Sequence, residues 1–306
     1  QDGDGVQGVC QVITVGYRAN PLHLNAAGYL QTQAGEVVFP MGGFYANWPS
    51  GAPDANGQIG RSVDLFPCNV VPYPHGFPWP AEVEAKVETY LATCKENGVT
   101  ALRLMLRNVD VVGRVDEEQL QAVVHLFDLG REAGLRFNVV LFEDYDKPPY
   151  CNMSIIETIA LPKYTDAELE ALPSHRRRFL VDKAVLPDPA LRYSDADAIA
   201  CQMDYLADLI PVLAGRDEVL CYELENEMVR PPMAWVNTIS AAIRRIDPFT
   251  PILGNPGGHS WPEPWRWRGS EVDLFSYHPY NDGMDGADHG AVIFMRSAWA
   301  AAAGIP

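Results

Sequence analysis

Short apolar runs alternate along the chain with amphipathic segments that repeat at the period of a helix. Apolar residues spaced three or four apart, as in Val83, Val87 and Leu91, predict helices, and continuous apolar runs predict strands that are covered on both faces. The expected strands are 37–44, 100–106, 135–142, 219–224, 251–254 and 272–277. The expected helices are 80–97, 116–133, 196–213, 233–246 and 291–303.

The order of these elements predicts an α/β fold with a parallel sheet, because helices of 10–18 residues separate successive strands. Six strands in this order fit either a doubly wound sheet or a (β/α)8 TIM barrel. No G-x-G-x-x-G opens a helix after a strand, since Gly257-Gly258 leads into a Trp-rich loop, and a dinucleotide fold is therefore disfavoured. We expect a barrel with about six βα units visible. Residues 1–36 would form an N-terminal extension with a hairpin at 28–36, and residues 37–306 an incomplete barrel.

Composition and charge narrow the class of protein. The chain has 306 residues, 47% of them hydrophobic, and a net charge of −17, which is ordinary for a folded globular protein. No stretch approaches the roughly 20 apolar residues that span a bilayer. An acidic surface argues against nucleic-acid binding, which needs a basic one.

The N-terminal residues and the cysteines bear on localisation and cofactors. Residues 1–5 are polar and glycine-rich, so the protein is either cytosolic or has lost a signal peptide. None of the six cysteines forms a C-x-x-C pair, so we expect no structural zinc. We also expect no cofactor, because the sequence has no phosphate-binding glycine loop and no metal triad. Cys68 and Cys151 lie in proline-rich loops and could be bridged. The acidic charge and the aromatic loops favour a secreted or periplasmic protein.

Three glutamates end the fourth strand of the expected sheet, in the segment Tyr222-Glu223-Leu224-Glu225-Asn226-Glu227. Strand alternation would place Glu223, Glu225 and Glu227 on one face, within about 14 Å of each other. In a parallel barrel, the last of them would emerge at the C-terminal rim, where barrel active sites lie. Three carboxylates so close cannot all ionise cheaply, so one should have a raised pKa, as a general acid requires. An exposed acidic strand end is the alternative.

This segment resembles the "F-E-L-x-N-E-P" signature on the fourth strand of glycoside hydrolase clan A, especially the family-five-like enzymes. The resemblance implies that Glu227 is the catalytic acid/base and that Asn226 bonds the sugar 2-hydroxyl. The chain departs from the signature at Glu225, where an apolar residue is usual, and at Met228, where proline is usual.

Two further segments resemble the same clan. Gly98 to Leu104 is similar to its "G-x-N-x-V-R-L" second strand, which implies that Arg103 supports the nucleophile carboxylate. An arginine in an apolar strand needs a carboxylate partner in any case. Phe275 to Tyr280 is similar to the sixth strand, which implies that His278 and Tyr280 line the catalytic pocket, although a histidine at a strand end is often structural.

The resemblance implies a retaining mechanism, in which a second carboxylate about 5 Å from Glu227 attacks the anomeric carbon. In the clan this nucleophile ends the seventh strand, and we expect it beyond residue 306. The sequence would then be part of a longer polypeptide, or a second chain would complete the barrel, or the fold would be a six-stranded one that does not close. We expect the 306-residue chain alone to be inactive.

Aromatic and acidic side chains in the loops after the strands are candidates for sugar binding, because aromatic faces stack on sugar rings. The candidates are Tyr45, Trp48, Trp261, Trp265 and Glu143, with Trp79 in the same rim region. Trp265 and Trp267 could equally pack loops onto the barrel. Residues 143–195 are an insertion that could form a lid or a wall of the cleft. His289, Asp285 and Asp288 could suggest a metal, but such acidic loops are usually plain surface.

The sequence therefore predicts a retaining glycoside hydrolase that acts on a β-linked polysaccharide or oligosaccharide. An endo-acting β-mannanase or β-glucanase is the first expectation, because aromatic loops suit a long cleft. An exo-acting β-glycosidase and a non-catalytic carbohydrate-binding barrel are the alternatives. Nucleic acid and membrane are not expected as partners, whereas a further chain or segment could supply the last strands.

Overall fold

A computed structural model describes residues 22–38, 40, 42–44, 77–106, 109–142, 149–228, 230–255 and 267–276, with residues 42–44 described in their backbone alone. The strands are β1 Leu22–Leu24, β2 Leu30–Thr32, β3 Gly42–Phe44, β4 Ala101–Met105, β5 Arg136–Phe142, β6 Val219–Glu225, β7 Ile252–Gly254 and β8 Leu274–Phe275. The α-helices are α1 Ala81–Glu96, α2 Glu117–Ala133, α3 Met153–Ile155, α4 Asp166–Glu170, α5 Ser174–Leu180, α6 Ala196–Leu213 and α7 Met233–Ile246.

Strands β3 to β8 form one parallel sheet in sequential order. A doubly wound sheet reverses its strand order at a switch point, whereas a barrel keeps the order of the sequence. The observed order is therefore that of a (β/α)8 barrel, and it confirms the predicted α/β fold. All six predicted strands are present, each within a few residues of its expected position.

The hairpin lies nearer the N-terminus than predicted. Strands β1 and β2 pair around a turn at 25–28, where the Asn25 side chain accepts hydrogen bonds from the backbone N–H groups of Ala27 and Tyr29 at 2.9 and 3.0 Å. Val37 forms an antiparallel bridge with Gln31. The prediction of a strand starting at residue 37 was therefore wrong at its beginning, since this end belongs to the hairpin.

The hairpin covers the N-terminal end of the sheet. Leu22 and Leu30 are buried against Ala101, the first residue of β4, and Leu220, the second residue of β6. The opposite end of the sheet, where the strands finish, carries Asn226 and Glu227.

The long helices pack on the outer face of the sheet as their apolar stripes predict. Helix α2 begins after Asp116, whose carboxylate accepts from the Gln119 N–H at 3.1 Å, and ends at Gly134 in the left-handed conformation with φ 76°. Trp79 is buried beside His125, with ring centroids 5.1 Å apart. Trp79 therefore packs into the core around α1 and α2.

The insertion is described from residue 149 onward. Its short helices enclose a hydrophobic cluster of their own, which includes Tyr150, Ile156 and Phe179 and packs against Val111 and Cys201. Two arginines of α5 attach it to α6 and to the residue before α6, because Arg176 pairs with Asp204 and Arg178 with Asp195. The described part of the insertion is therefore a packed extension of the barrel.

Candidate active site

Strand β6 brings carboxylates to the centre of the described sheet. Every residue of Val219–Glu225 is buried, and Val140 on β5 and Leu253 on β7 flank Glu223 in register. The strand can hold buried glutamates only because polar partners reach them from the neighbouring strands, since an unpaired buried charge is costly.

Glu223 accepts hydrogen bonds from three different strands or strand ends. Arg103 on β4 donates Nε to Oε2 at 2.8 Å and also pairs with Oε1 through Nη2. Asn138 on β5 donates to Oε2, and Asn255 after β7 donates to Oε1, each at 2.7 Å. These donors satisfy both oxygens of a carboxylate that is 1% exposed, and the network ties β4, β5, β6 and β7 together.

Arg103 also reaches the residue before the expected acid/base. Its Nη2 donates to Oδ1 of Asn226 at 2.9 Å. The prediction that Arg103 has a carboxylate partner is confirmed, and that partner is Glu223. The support of a nucleophile by Arg103 stays a prediction.

Glu225 is paired separately with two residues from the end of the insertion. The Arg192 guanidinium lies 2.6 Å from Oε1, and the Tyr193 hydroxyl donates to Oε2 at 2.7 Å. Burial lowers the pKa of Arg192, but the Glu225 carboxylate outweighs it and the pKa is raised overall. Glu223 and Glu225 are each paired with an arginine. These two arginines offset the repulsion that the sequence predicted between the carboxylates of this strand.

The backbone turns sharply at the end of β6. Glu227 has φ 50° and is partly exposed, and a non-glycine residue in this left-handed region is strained. The Asn226 N–H donates to the carbonyl of Phe142 at 3.1 Å, and the Met228 N–H donates to that of Asn255 at 2.9 Å. The ends of β5 and β7 thus hold the turn that carries Asn226 and Glu227.

The other predicted site residues lie outside the described residues. They are His278 and Tyr280 among the catalytic candidates, and Tyr45, Trp48, Trp261, Trp265 and Glu143 among the substrate-binding ones. Trp267 is described: it is buried, and its ring lies 5.7 Å from that of Phe275. Of the two roles considered for Trp267, the structure shows the packing one.

Four residues of the network were missed by the sequence analysis: Asn138, Asn255, Arg192 and Tyr193. A signal existed for Asn138, because an amide inside the apolar strand Arg136–Phe142 needs a hydrogen-bonding partner. Arg192 gave no such signal, because it lies in a loop segment 33 residues before Glu225.

The described part of the chain holds neither a metal-ligand cluster nor a membrane-spanning helix. No cluster of three or more histidine, cysteine or acidic side chains there is arranged to hold a metal ion. No helix among the described residues has the length and apolarity to cross a membrane. Cys151 is a free thiol among the described residues, and Cys68, the partner considered for it, lies outside them.

Comparison with solved structures relates this fold to a mannosidase and to mannanases. An exo-β-1,4-mannosidase from Opitutaceae bacterium strain TAV5 superimposes with a TM-score of 0.53 at 17% identity, over 84% of this chain and 40% of that one. An endo-1,4-β-mannanase from Eisenia fetida gives 0.50 at 16% identity, over 85% and 72%. An endo-β-1,4-mannanase from Thermotoga petrophila gives 0.51 at 15% identity, over 72% and 56%.

No protein-family model and no curated protein sequence matches the chain. The structural likeness confirms the barrel fold and, at the level of fold, the resemblance to clan A glycoside hydrolases. The chain spans 40% of the length of the Opitutaceae mannosidase.

Proposed function

We propose that this chain belongs to a retaining glycoside hydrolase that cleaves β-1,4-linked mannose polymers. The observation that carries the proposal is the turn at the carboxyl end of β6, which bears Asn226 and Glu227 beside the partly buried Arg103. The fold neighbours support the substrate class, since those compared are mannanases and a mannosidase.

The proposed mechanism uses Glu227 as general acid and then as general base. It protonates the leaving glycosidic oxygen while a second carboxylate attacks the anomeric carbon, and it then deprotonates the water that hydrolyses the glycosyl-enzyme. Asn226 would donate from its amide Nδ2 to the sugar 2-hydroxyl, because its Oδ1 already accepts from Arg103. We propose that His278 and Tyr280 complete the pocket and that the loop aromatics form the subsites.

We propose endo-acting hydrolysis first, and the mannanases from Eisenia fetida and Thermotoga petrophila support it. Exo-acting hydrolysis is the second, supported by the Opitutaceae mannosidase. Product analysis separates the two, because an endo-acting enzyme releases oligosaccharides from mannan early, whereas an exo-acting one releases a single small product.

The test of Glu227 compares two leaving groups in the full-length protein. Glu227→Gln should lower the rate of β-1,4-mannan hydrolysis by about 10²–10⁴-fold, because general acid catalysis contributes that much. Cleavage of a dinitrophenyl β-mannoside should fall far less in the first step, because its leaving group needs no proton. Glu157→Gln, on the surface of the insertion, serves as a control with unchanged rates.

Retention is checked by NMR of the first-formed product, which should have the β-anomeric configuration. Full mannanase activity in Glu227→Gln would exclude Glu227 as the acid/base. A wild-type protein that binds mannan without hydrolysing it would instead support a carbohydrate-binding barrel.

A further inference from the structure

The end of the insertion reaches the strand that carries the proposed acid/base. Arg192 and Tyr193 hold both oxygens of the Glu225 carboxylate, with Arg192 Nε at 2.8 Å from Oε1 and the Tyr193 hydroxyl at 2.7 Å from Oε2. The side chains of Arg192 and Glu225 are 6% and 2% exposed. A pair so deeply buried has a fixed geometry, because any movement that separated the two side chains would leave a buried charge without its partner.

The segment that supplies these two side chains is itself anchored to the barrel helices. Gln202 on α6 donates to the Arg192 carbonyl at 3.1 Å and accepts from the Trp235 indole on α7 at 2.8 Å. The rings of Tyr193 and Trp235 lie 4.8 Å apart. The helices that follow β5 and β6 therefore help to fix the position of Arg192, together with the Pro189 carbonyl, to which Arg192 donates at 2.7 Å.

Glu225 is the last residue before the strained turn. Asn226 follows it directly, and Glu227 adopts φ 50°. Arg103 holds the Asn226 side chain from the interior of the sheet, and the Arg192–Tyr193 pair holds Glu225. A strained backbone conformation persists only where its surroundings fix it. The ends of β5 and β7 hold the backbone of this turn, while Arg103 holds Asn226 and the insertion holds Glu225.

We propose that Arg192 and Tyr193 are positioning residues that hold the Asn226–Glu227 turn in its catalytic geometry through Glu225. The apolar residue usual in clan A at this position cannot form such an attachment, so the glutamate couples the insertion to the acid/base. This inference deepens the proposed function and rests on it for its kinetic consequences.

The experiment separates charge compensation from positioning. Arg192→Met leaves the buried Glu225 carboxylate without its arginine and should lower both the melting temperature and kcat. The double variant Arg192→Met/Glu225→Met removes both charges and fills the space with apolar side chains. It should recover the melting temperature, as replaced buried ion pairs do, while kcat on mannan stays at least about tenfold below wild type with KM changed less than about twofold.

Two further variants test the geometry of the pair. Arg192→Lys keeps the charge but loses the planar fork that reaches both Glu225 and Tyr193, so it should recover part of kcat. Arg178→Met is the matched control, because it breaks a different ion pair of the insertion, with Asp195. It should leave kcat unchanged even where it lowers the melting temperature.

Hydrogen exchange gives a readout that does not depend on turnover. The Asn226 and Met228 amides are hydrogen-bonded to the ends of β5 and β7, and their exchange should rise about tenfold in the double variant and stay unchanged in Arg178→Met. Wild-type exchange at both amides, or wild-type kcat in the stable double variant, would overturn the proposal. A wild-type protein without glycosidase activity would count against the proposed function alone, since exchange still decides whether the pair holds the turn.

Discussion

Asp110, just after β4, shows how a single buried carboxylate ties the insertion to the barrel. Its oxygens accept hydrogen bonds from the Tyr150 hydroxyl at 2.6 Å and the Gly113 N–H at 2.8 Å. Burial raises the pKa of Asp110 to about 6, against these hydrogen bonds and the nearby Arg176 charge, which lower it. Asp110 thus gains its negative charge close to neutral pH.

This raised pKa predicts that the folded protein loses stability as the pH rises through about 6. The folded state binds the proton more tightly than the unfolded chain, so the stabilisation is complete below the ordinary pKa of an aspartate, near 4, and is lost above 6. The contribution of Asp110 to the free energy of unfolding in urea should be larger at pH 5 than at pH 7.5 by on the order of 1–3 kcal/mol. Asp110→Asn should remove that part of the pH dependence. An identical slope in the variant would show that other groups carry it.

At the scale of elements, helix α2 and strand β5 meet at a glycine. A Cβ at Gly130 would overlap the ring of Phe137, which stacks on Phe127 with centroids 4.8 Å apart. Gly130→Ala should therefore lower the free energy of unfolding by about 1–2 kcal/mol, because overpacking costs about 1–3 kcal/mol and alanine returns up to about 1 through helix propensity.

The control for this prediction makes room at the partner. In a Phe137→Leu background the same Gly130→Ala change should be neutral or stabilising, since the aromatic ring that the new methyl group would meet is gone. Chemical denaturation of the wild type, the two single variants and the double variant gives the coupling energy between the two sites. Additive effects would contradict a direct clash.

Elements with strong periodicity were predictable from the sequence. Helices α6 and α7 have the predicted bounds because their apolar stripes are uninterrupted, and the apolar runs located all six strands. The hairpin was misplaced because its turn depends on local hydrogen bonds of the Asn25 side chain, which no apolar pattern reveals. The short helices around Phe179 were missed for a related reason, since their packing on Val111 and Cys201 is tertiary.

In the candidate site too, residues in local sequence patterns could be predicted and residues joined by tertiary contacts could not. Asn226 and Glu227 could be placed at a strand end from the motif alone, and Arg103 could be given a carboxylate partner because a buried arginine needs one. The pairing of Arg192 with Glu225 could not be predicted, because it joins a loop segment to a strand across 33 residues without a repeating pattern. The pairing of Arg103 with Glu223 and of Arg192 with Glu225 depends on the tertiary fold rather than on the local sequence.

At the scale of the whole molecule, the net charge of −17 repels negatively charged polymers and leaves neutral ones unaffected. Repulsion between like charges acts over about 10 Å at 0.1 M salt and weakens as salt increases. A neutral mannan experiences no such force, whereas a carboxymethylated mannan is repelled. The proposed substrate class is thus one to which the charge of the chain is no obstacle.

This charge predicts a salt dependence that distinguishes the two polymers in the full-length protein. Raising NaCl from about 10 to 200 mM should increase kcat/KM on carboxymethyl mannan several-fold, because shortening the Debye length removes the repulsion. On unmodified mannan it should change by less than about twofold. Hydroxyethyl mannan of equal substitution is the control for bulk, and it should follow the unmodified polymer. Equal salt responses on the charged and neutral polymers would mean that the acidic surface lies away from the path of the substrate, and that the charge of the chain has no part in selecting it.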